Sequence, residues 1–349
     1  MKHVLIALTS LLLIACGEKL SRSDLLPDAS GEHGHILVLM KNHYWNGEIG
    51  EALRAQLDQN VQGPYLRPEP VFNFFHKQSE DLTHVNKMSR VMLKIYLDPD
   101  STYAETAVIE KKDYYAKGQL FLIIKDSDLG RMLHFIRHDF DPILQRINEF
   151  ELNSLIREYK SSHNKSVDEQ AQNTFGISIC LPRKSQLKVR EDDFMWVKRE
   201  RSRDMLGSQA NHTDNQTYWI QQGILLWSEP YSKETIDPIH IMAHRDSVLK
   251  YKVPGEVKGS YMATEYDPCC APEGLVTTYQ NTDAVIFRGL WKHDGRRGVA
   301  GGGPFVQYSI YNRTTNKVVT VCGYIFAPRF DKREYIRELE AMMNTIKIL

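Results

Sequence analysis

Cys16 is the residue whose chemistry its neighbours constrain most. It closes the run Leu13-Ile14-Ala15-Cys16. Lys2 and His3 come first, then an apolar stretch from Val4 to Ala15 broken only by Thr9 and Ser10, with a small residue directly before the cysteine. Charge, hydrophobe and cleavage site in that order form a secretory signal, and the terminal cysteine makes it a lipobox. In a lipobox the thiol is alkylated by a diacylglyceryl group, the chain is cut before the cysteine, and the new amine is acylated, with palmitate as a usual chain. The apolar stretch is shorter than the roughly 20 residues a stable membrane helix needs. Acyl chains, at about 0.8 kcal/mol per buried CH₂, are expected to anchor the protein instead.

Three other groups of residues have the types and spacing for chemistry. His134/His138 and His240/His244 are both His-x-x-x-His pairs on predicted helices, a spacing that puts two imidazoles on one face where they can share a metal. A catalytic zinc helix has Glu directly after the first His, and here those positions are Phe135 and Ile241. At 100° per residue, His134 and His138 lie opposite the Leu129/Leu133/Ile136 stripe and read as a solvated face. No metal or other cofactor is therefore assigned. Gly295-Arg296-Arg297-Gly298-Val299-Ala300-Gly301-Gly302-Gly303-Pro304 offers glycine amides and two guanidiniums to an anion. Phosphate-binding glycine loops lead from strand into helix, whereas this one leads from strand to strand, so a hairpin connection is the expected use. Cys269 and Cys270 sit in Asp-Pro-Cys-Cys-Ala-Pro with no base in the sequence to activate a thiol. Together with Cys180 and Cys322 they make an even set, with three pairings open in an oxidising compartment and reduced or variably paired thiols as the alternative.

Exposed aromatics mark binding surfaces. Trp45, in a loop beside a strand end, and Trp291, closing a strand before the glycine loop, are the candidates, with Arg296, Arg297 and Phe305 around the second. No serine-hydrolase, β-lactamase or calcium-loop motif is present, and no catalytic residue is assigned.

The chain has 349 residues, 42% hydrophobic and 25% charged, which are globular values and long for one core. Lys+Arg and Asp+Glu balance at 44 each, so no net field favours nucleic acid. Four segments are expected: a signal peptide over 1–15, a lipidated polar tether over 16–35, an N-terminal α/β domain over 36–165 and a C-terminal α+β domain over 166–349. In the first domain, apolar runs predict strands over 36–40 and 71–75, and alternation predicts strands over 91–97 and 119–125. Helices follow from Asn46, from Ser127 or Asp128, and from Asp141-Pro142. In the second domain, strands are expected over 175–181, 194–199, 218–228, 259–265, 285–291, 305–312 and 318–327. Its helices run from Asp237-Pro238 to Tyr251 and from Lys332 to Ile346. Predominance of strands with short late connections gives an α+β class with mainly antiparallel sheets and flanking helices. The element order of the second domain is similar to the Mog1/PsbP-like fold, an analogy silent on function.

Trp45-Asn46-Gly47-Glu48-Ile49-Gly50 and Pro68-Glu69-Pro70-Val71-Phe72 lead a series of blocks that continues with Arg245-Asp246-Ser247-Val248, Gly259-Ser260-Tyr261-Met262 and Arg288-Gly289-Leu290-Trp291. Gly302-Gly303-Pro304-Phe305-Val306 and Tyr324-Ile325-Phe326-Ala327-Pro328 complete it. In this order they resemble the family catalogued as domain of unknown function 4837, over about residues 36–349. The resemblance implies a lipoprotein of a Bacteroidota envelope and supplies no activity. The paired cysteines and both His pairs stand outside its pattern, which argues against a shared active site built from them. The expectation is a lipid-anchored envelope protein that binds an unknown protein or small molecule and is not an enzyme. A metal-dependent envelope hydrolase and a structural or assembly factor are the alternatives. Gly17 after Cys16, where an inner-membrane retention signal has Asp, and the weakly acidic Glu18-Lys19 favour an outer-membrane lipoprotein facing the periplasm over one on the cell surface.

Overall fold

The structure, a computed structural model, describes residues 25–61, 63, 68–205 and 216–349. The lipobox and Cys16 lie outside the described residues. What is described builds two large sheets and a two-stranded one, with helices packed on them, an α+β architecture.

The first sheet has the order β2-β1-β3-β5-β4, made by β1 (His35–Leu39), β2 (Asn73–Lys77), β3 (Val91–Leu97), β4 (Ala107–Lys112) and β5 (Leu120–Asp126). All its pairings are parallel except that of β4 with β5. This half is therefore mainly parallel, and burial explains why. β1, β3 and β5 are near-continuous apolar runs covered on both faces, as parallel strands are. One face packs on α2 (Glu48–Leu57), α4 (Leu129–His138) and the first half of α5 (Asp141–Ser161) through Leu53, Met132, Ile136 and Ile147. The other, carrying Leu37, Leu39, Met92 and Phe121, is covered by Tyr114 and Tyr115. β4 closes the edge with alternating burial and Lys111 and Lys112 at its end. Two short helices, α1 (Asn42–Trp45) and α3 (His84–Lys87), lie in the connections.

Ahead of β1 the chain is already fixed. Ala29 N donates to Lys117 O at 2.8 Å and Ser30 N to Met88 O at 2.7 Å.

The second sheet is antiparallel and eight-stranded. Its path is β10-β12-β13-β14-β9-β8-β7, with β11 also paired to β12. The strands are β7 (Gln186–Arg190), β8 (Phe194–Met205), β9 (Gln216–Pro230), β10 (Tyr261–Thr264), β11 (Glu273–Tyr279), β12 (Thr282–Asp294), β13 (Gly302–Asn312) and β14 (Lys317–Phe326). Side chains alternate between faces with the period of two that strands impose. Met195, Val197, Leu226, Val319 and Val321 meet α8 (Arg333–Met343) on one side. Phe194, Trp196, Trp227, Cys322 and Tyr324 meet α7 (Pro238–Lys252) on the other. A helix absent from the expectation, α6 (Lys165–Phe175), covers the first face through Val167, Ala171 and Phe175. Asn164 caps its start, and Gly176, at φ +67°, ends it in the left-handed conformation that suits glycine. The strand expected over 175–181 shrinks to β6 (Ile177–Ser178), which pairs with β15 (Lys347–Ile348).

α5 joins the two halves. Ile143, Leu144, Ile147 and Phe150 belong to the first core, whereas Leu155 and Tyr159, two turns on, belong to the second. Glu69 reaches across and accepts hydrogen bonds from the backbone N–H of Lys332 and Arg333 at 2.8 Å, placing a carboxylate at the positive end of α8. Arg337 Nη2 donates back to Asn148 Oδ1 at 3.3 Å.

Candidate functional site

A cleft of about 430 Å³ opens where the halves meet. His33, His35 and Asn73 come from the first half, Arg201, Ser202 and Arg203 from the outer end of β8, and Tyr335 and Glu338 from α8. The strand fixes its arginines two apart, on one face. Arg201 forks onto Glu338, with N–O distances of 3.1 and 2.8 Å, while Gln222 Nε2 donates to the same carboxylate at 2.6 Å. Arg203 is different. It is exposed, donates to Tyr335 OH at 3.2 Å, lies over the Phe330 ring, and has no carboxylate partner among the described residues.

Beneath the cleft sits a buried ionic group. Glu151, wholly buried on α5, takes a short hydrogen bond from His33, with Arg90 Nη2 3.1 Å from the same oxygen. Burial would raise the Glu151 carboxyl, but His33 and Arg90 outweigh it and hold it below the ordinary glutamate range. A second cavity, of about 610 Å³, lies on the other flank of the seam between Leu144, Asn148 and Arg337.

The residues singled out from the sequence do not converge there. Trp45 ends α1, is half-buried, stacks on His76 at 4.4 Å between ring centroids, and carries the Arg54 guanidinium 4.7 Å above its ring. Trp291 is only 4% exposed and Phe305 1%, so neither presents a surface to a partner. The Trp291 Nε1–H donates to Ile325 O at 3.0 Å, and Phe305 lies under the Arg245 guanidinium at 3.8 Å. The two tryptophans serve separate cores. They therefore do not form one contact region. Strand-end position suggested exposure, but β10 and α7 cover that end of β12. Arg296 and Arg297 remain exposed in the turn from β12 to β13, where Arg296 Nη1 donates to Lys258 O at 3.1 Å. The glycine segment leads from strand to strand, as read.

The two His pairs also part company. His134 and His138 are exposed, and the nearest carboxylate, Asp139, is 3.9 Å from His134. His240 Nε2 and His244 Nδ1, by contrast, lie 2.8 and 2.6 Å from the two oxygens of Glu229. Burial would raise the Glu229 carboxyl; the hydrogen bonds from His244 and His240 bring it below its ordinary value. Glu229 was not singled out from the sequence because the strand was expected to stop at Ser228, one residue short. A carboxylate at a strand end, followed closely by a helix with His at i and i+4, was the available signal.

All four described cysteines are unpaired. Cys180, Cys270 and Cys322 are buried. The Cys269 sulfur is 3.4 Å from that of Cys270, and Asp267, then Cys270, push the Cys269 thiol up to about 12. That is far from a thiolate nucleophile at neutral pH.

Residues 164–345 match the profile of a domain of unknown function, DUF4837. The chain belongs to that family. Residues 29–160 match a second domain of unknown function, DUF8532. The DUF4837 match thus covers the later blocks, while those around Trp45 and Pro68, expected to open the same family, fall within DUF8532. No curated protein matches the chain. Among solved structures, the Saccharomyces cerevisiae Ran-binding protein Mog1p is 12% identical, with a TM-score of 0.30, and covers 50% of this chain and 90% of its own. A mutant of protein Mog1 is 10% identical, at 0.27, with the same coverage. At these scores the likeness carries no argument.

Proposed function

We propose that this DUF4837 protein is a lipid-anchored envelope protein, held to the outer membrane through Cys16, that binds a polar ligand or partner in the cleft between its sheets without transforming it. The observation that carries the reading is Arg203, an exposed guanidinium held by Tyr335 and Phe330 at the mouth of the 430 Å³ cleft. A planar fork of donors so held suits a carboxylate or phosphate on the bound molecule. The order of residues in 1–16 supports the anchor.

A photo-crosslinking residue at Ser202, inside the cleft, is expected to trap a partner in native membranes, while the same residue at exposed Asp192 does not. Adding Arg203→Ala should reduce the yield at Ser202. Equal trapping at both positions, or an unchanged yield without Arg203, would contradict the cleft as the site. Labelled palmitate should be incorporated by the wild type and not by Cys16→Ser. A label that survives this substitution would remove the anchor.

A further inference from the structure

The cluster of Glu229, His240 and His244 is separate from the cleft, and nothing in the proposed binding role uses it. Its three side chains are brought together by rigid parts of the fold. Glu229 is the penultimate residue of β9 and is in register with Val318 of β14. α7 starts at Pro238, where Asp237 accepts hydrogen bonds from the N–H groups of Ile239 and His240 at 2.9 and 3.2 Å. Ile241, Met242, Arg245 and Leu249 then bury one face of the helix. His240 and His244, four apart, share a neighbouring face and point at the strand end.

One ligand atom from each residue lies within 4.8 Å of the other two. Tetrahedral zinc with bonds of about 2.0–2.1 Å sets its ligand atoms roughly 3.3 Å apart, so the three atoms would close by at most about 1.5 Å. Two imidazole nitrogens and one carboxylate oxygen suit zinc better than calcium or magnesium, which take oxygen. The side chains of His240 and His244 are 40% and 29% exposed, which leaves an approach for the ion and room for water as fourth ligand.

We propose that Glu229, His240 and His244 form a binding site for one zinc ion between β9 and α7. Binding would replace the two His–Glu hydrogen bonds with three metal–ligand bonds and release whatever protons the imidazole ligand atoms carry.

The test uses the full chain, freed of metal with a chelator. Titration with Zn²⁺ by calorimetry should show one equivalent bound. His240→Ala and His244→Ala should each weaken binding at least tenfold, whereas His134→Ala should leave it unchanged. Co²⁺ should give the intense visible bands of a tetrahedral nitrogen–oxygen site, lost in both active-pair variants. His240 is exposed enough that its alanine variant keeps the fold, and circular dichroism checks this. Failure to bind zinc would overturn the proposal, leaving the cluster as a hydrogen-bonded latch. So would undiminished binding in both variants, or a thiolate-to-cobalt charge-transfer band placing the ion on Asp267, Cys269 and Cys270.

Discussion

α4 and α7 are tied to their sheets by the same device with different partners. Each follows a strand with a carboxylate at its end or one residue before it, Asp126 on β5 and Glu229 on β9, and each carries a His-x-x-x-His pair. On α4 the carboxylate takes Arg131, with N–O distances of 2.6 and 3.2 Å, and the histidines are left in solvent. On α7 the histidines themselves are the partners. Histidine spacing is therefore uninformative on its own, since the strand-end acid decides whether a pair is a surface feature or a site. The two latches also differ in strength. Asp126 is wholly buried and accepts further hydrogen bonds from Thr106 and the N–H groups of Ser127 and Asp128. Burial alone would raise its carboxyl, but Arg131 and these donors hold it down to about 2.

The largest effect is expected at the buried latch. Asp126→Ala should cost about 3 kcal/mol in urea unfolding, because Arg131 and two backbone amides lose their acceptor together. The pH dependence has a definite sign. A carboxyl held below the ordinary value of about 3.9 adds stability that is fully present above that pH and is lost as pH falls through about 2. The gap between wild type and Asp126→Asn should therefore narrow on acidification below about pH 4. A gap that widens there would break the assignment. Next comes Glu229→Gln, which removes the charge and leaves one acceptor oxygen for two half-exposed histidines, and should cost about 1 kcal/mol in metal-free protein. Smallest is His134→Ala with His138→Ala, expected within about 0.5 kcal/mol of wild type because both rings face water. A loss as large as that of Glu229→Gln would erase the distinction between the pairs.

Much of this arrangement could be read from the sequence, and the gaps have physical causes. β1 was legible because a strand buried on both faces is an apolar run, and α5 and α7 because Asp-Pro marks a helix start. α6 was missed because its buried face is sparse and it follows the polar run from Ser161 to Lys165. β7 and β11 were missed because they lie mostly exposed beside longer strands, with little burial to shape their composition. The cleft was out of reach, since its lining comes from segments as far apart as His33 and Tyr335, and their meeting depends on α5 bridging two cores. Trp291 shows the converse: a strand end in sequence is interior because a helix packs over it.

Nuclear magnetic resonance of the histidine rings during zinc addition tests the contrast between the helices most directly. One equivalent of Zn²⁺ should shift the His240 and His244 ring nitrogens and leave those of His134 and His138 in place. Equal responses from both pairs, or a response from His134 and His138 alone, would contradict the account.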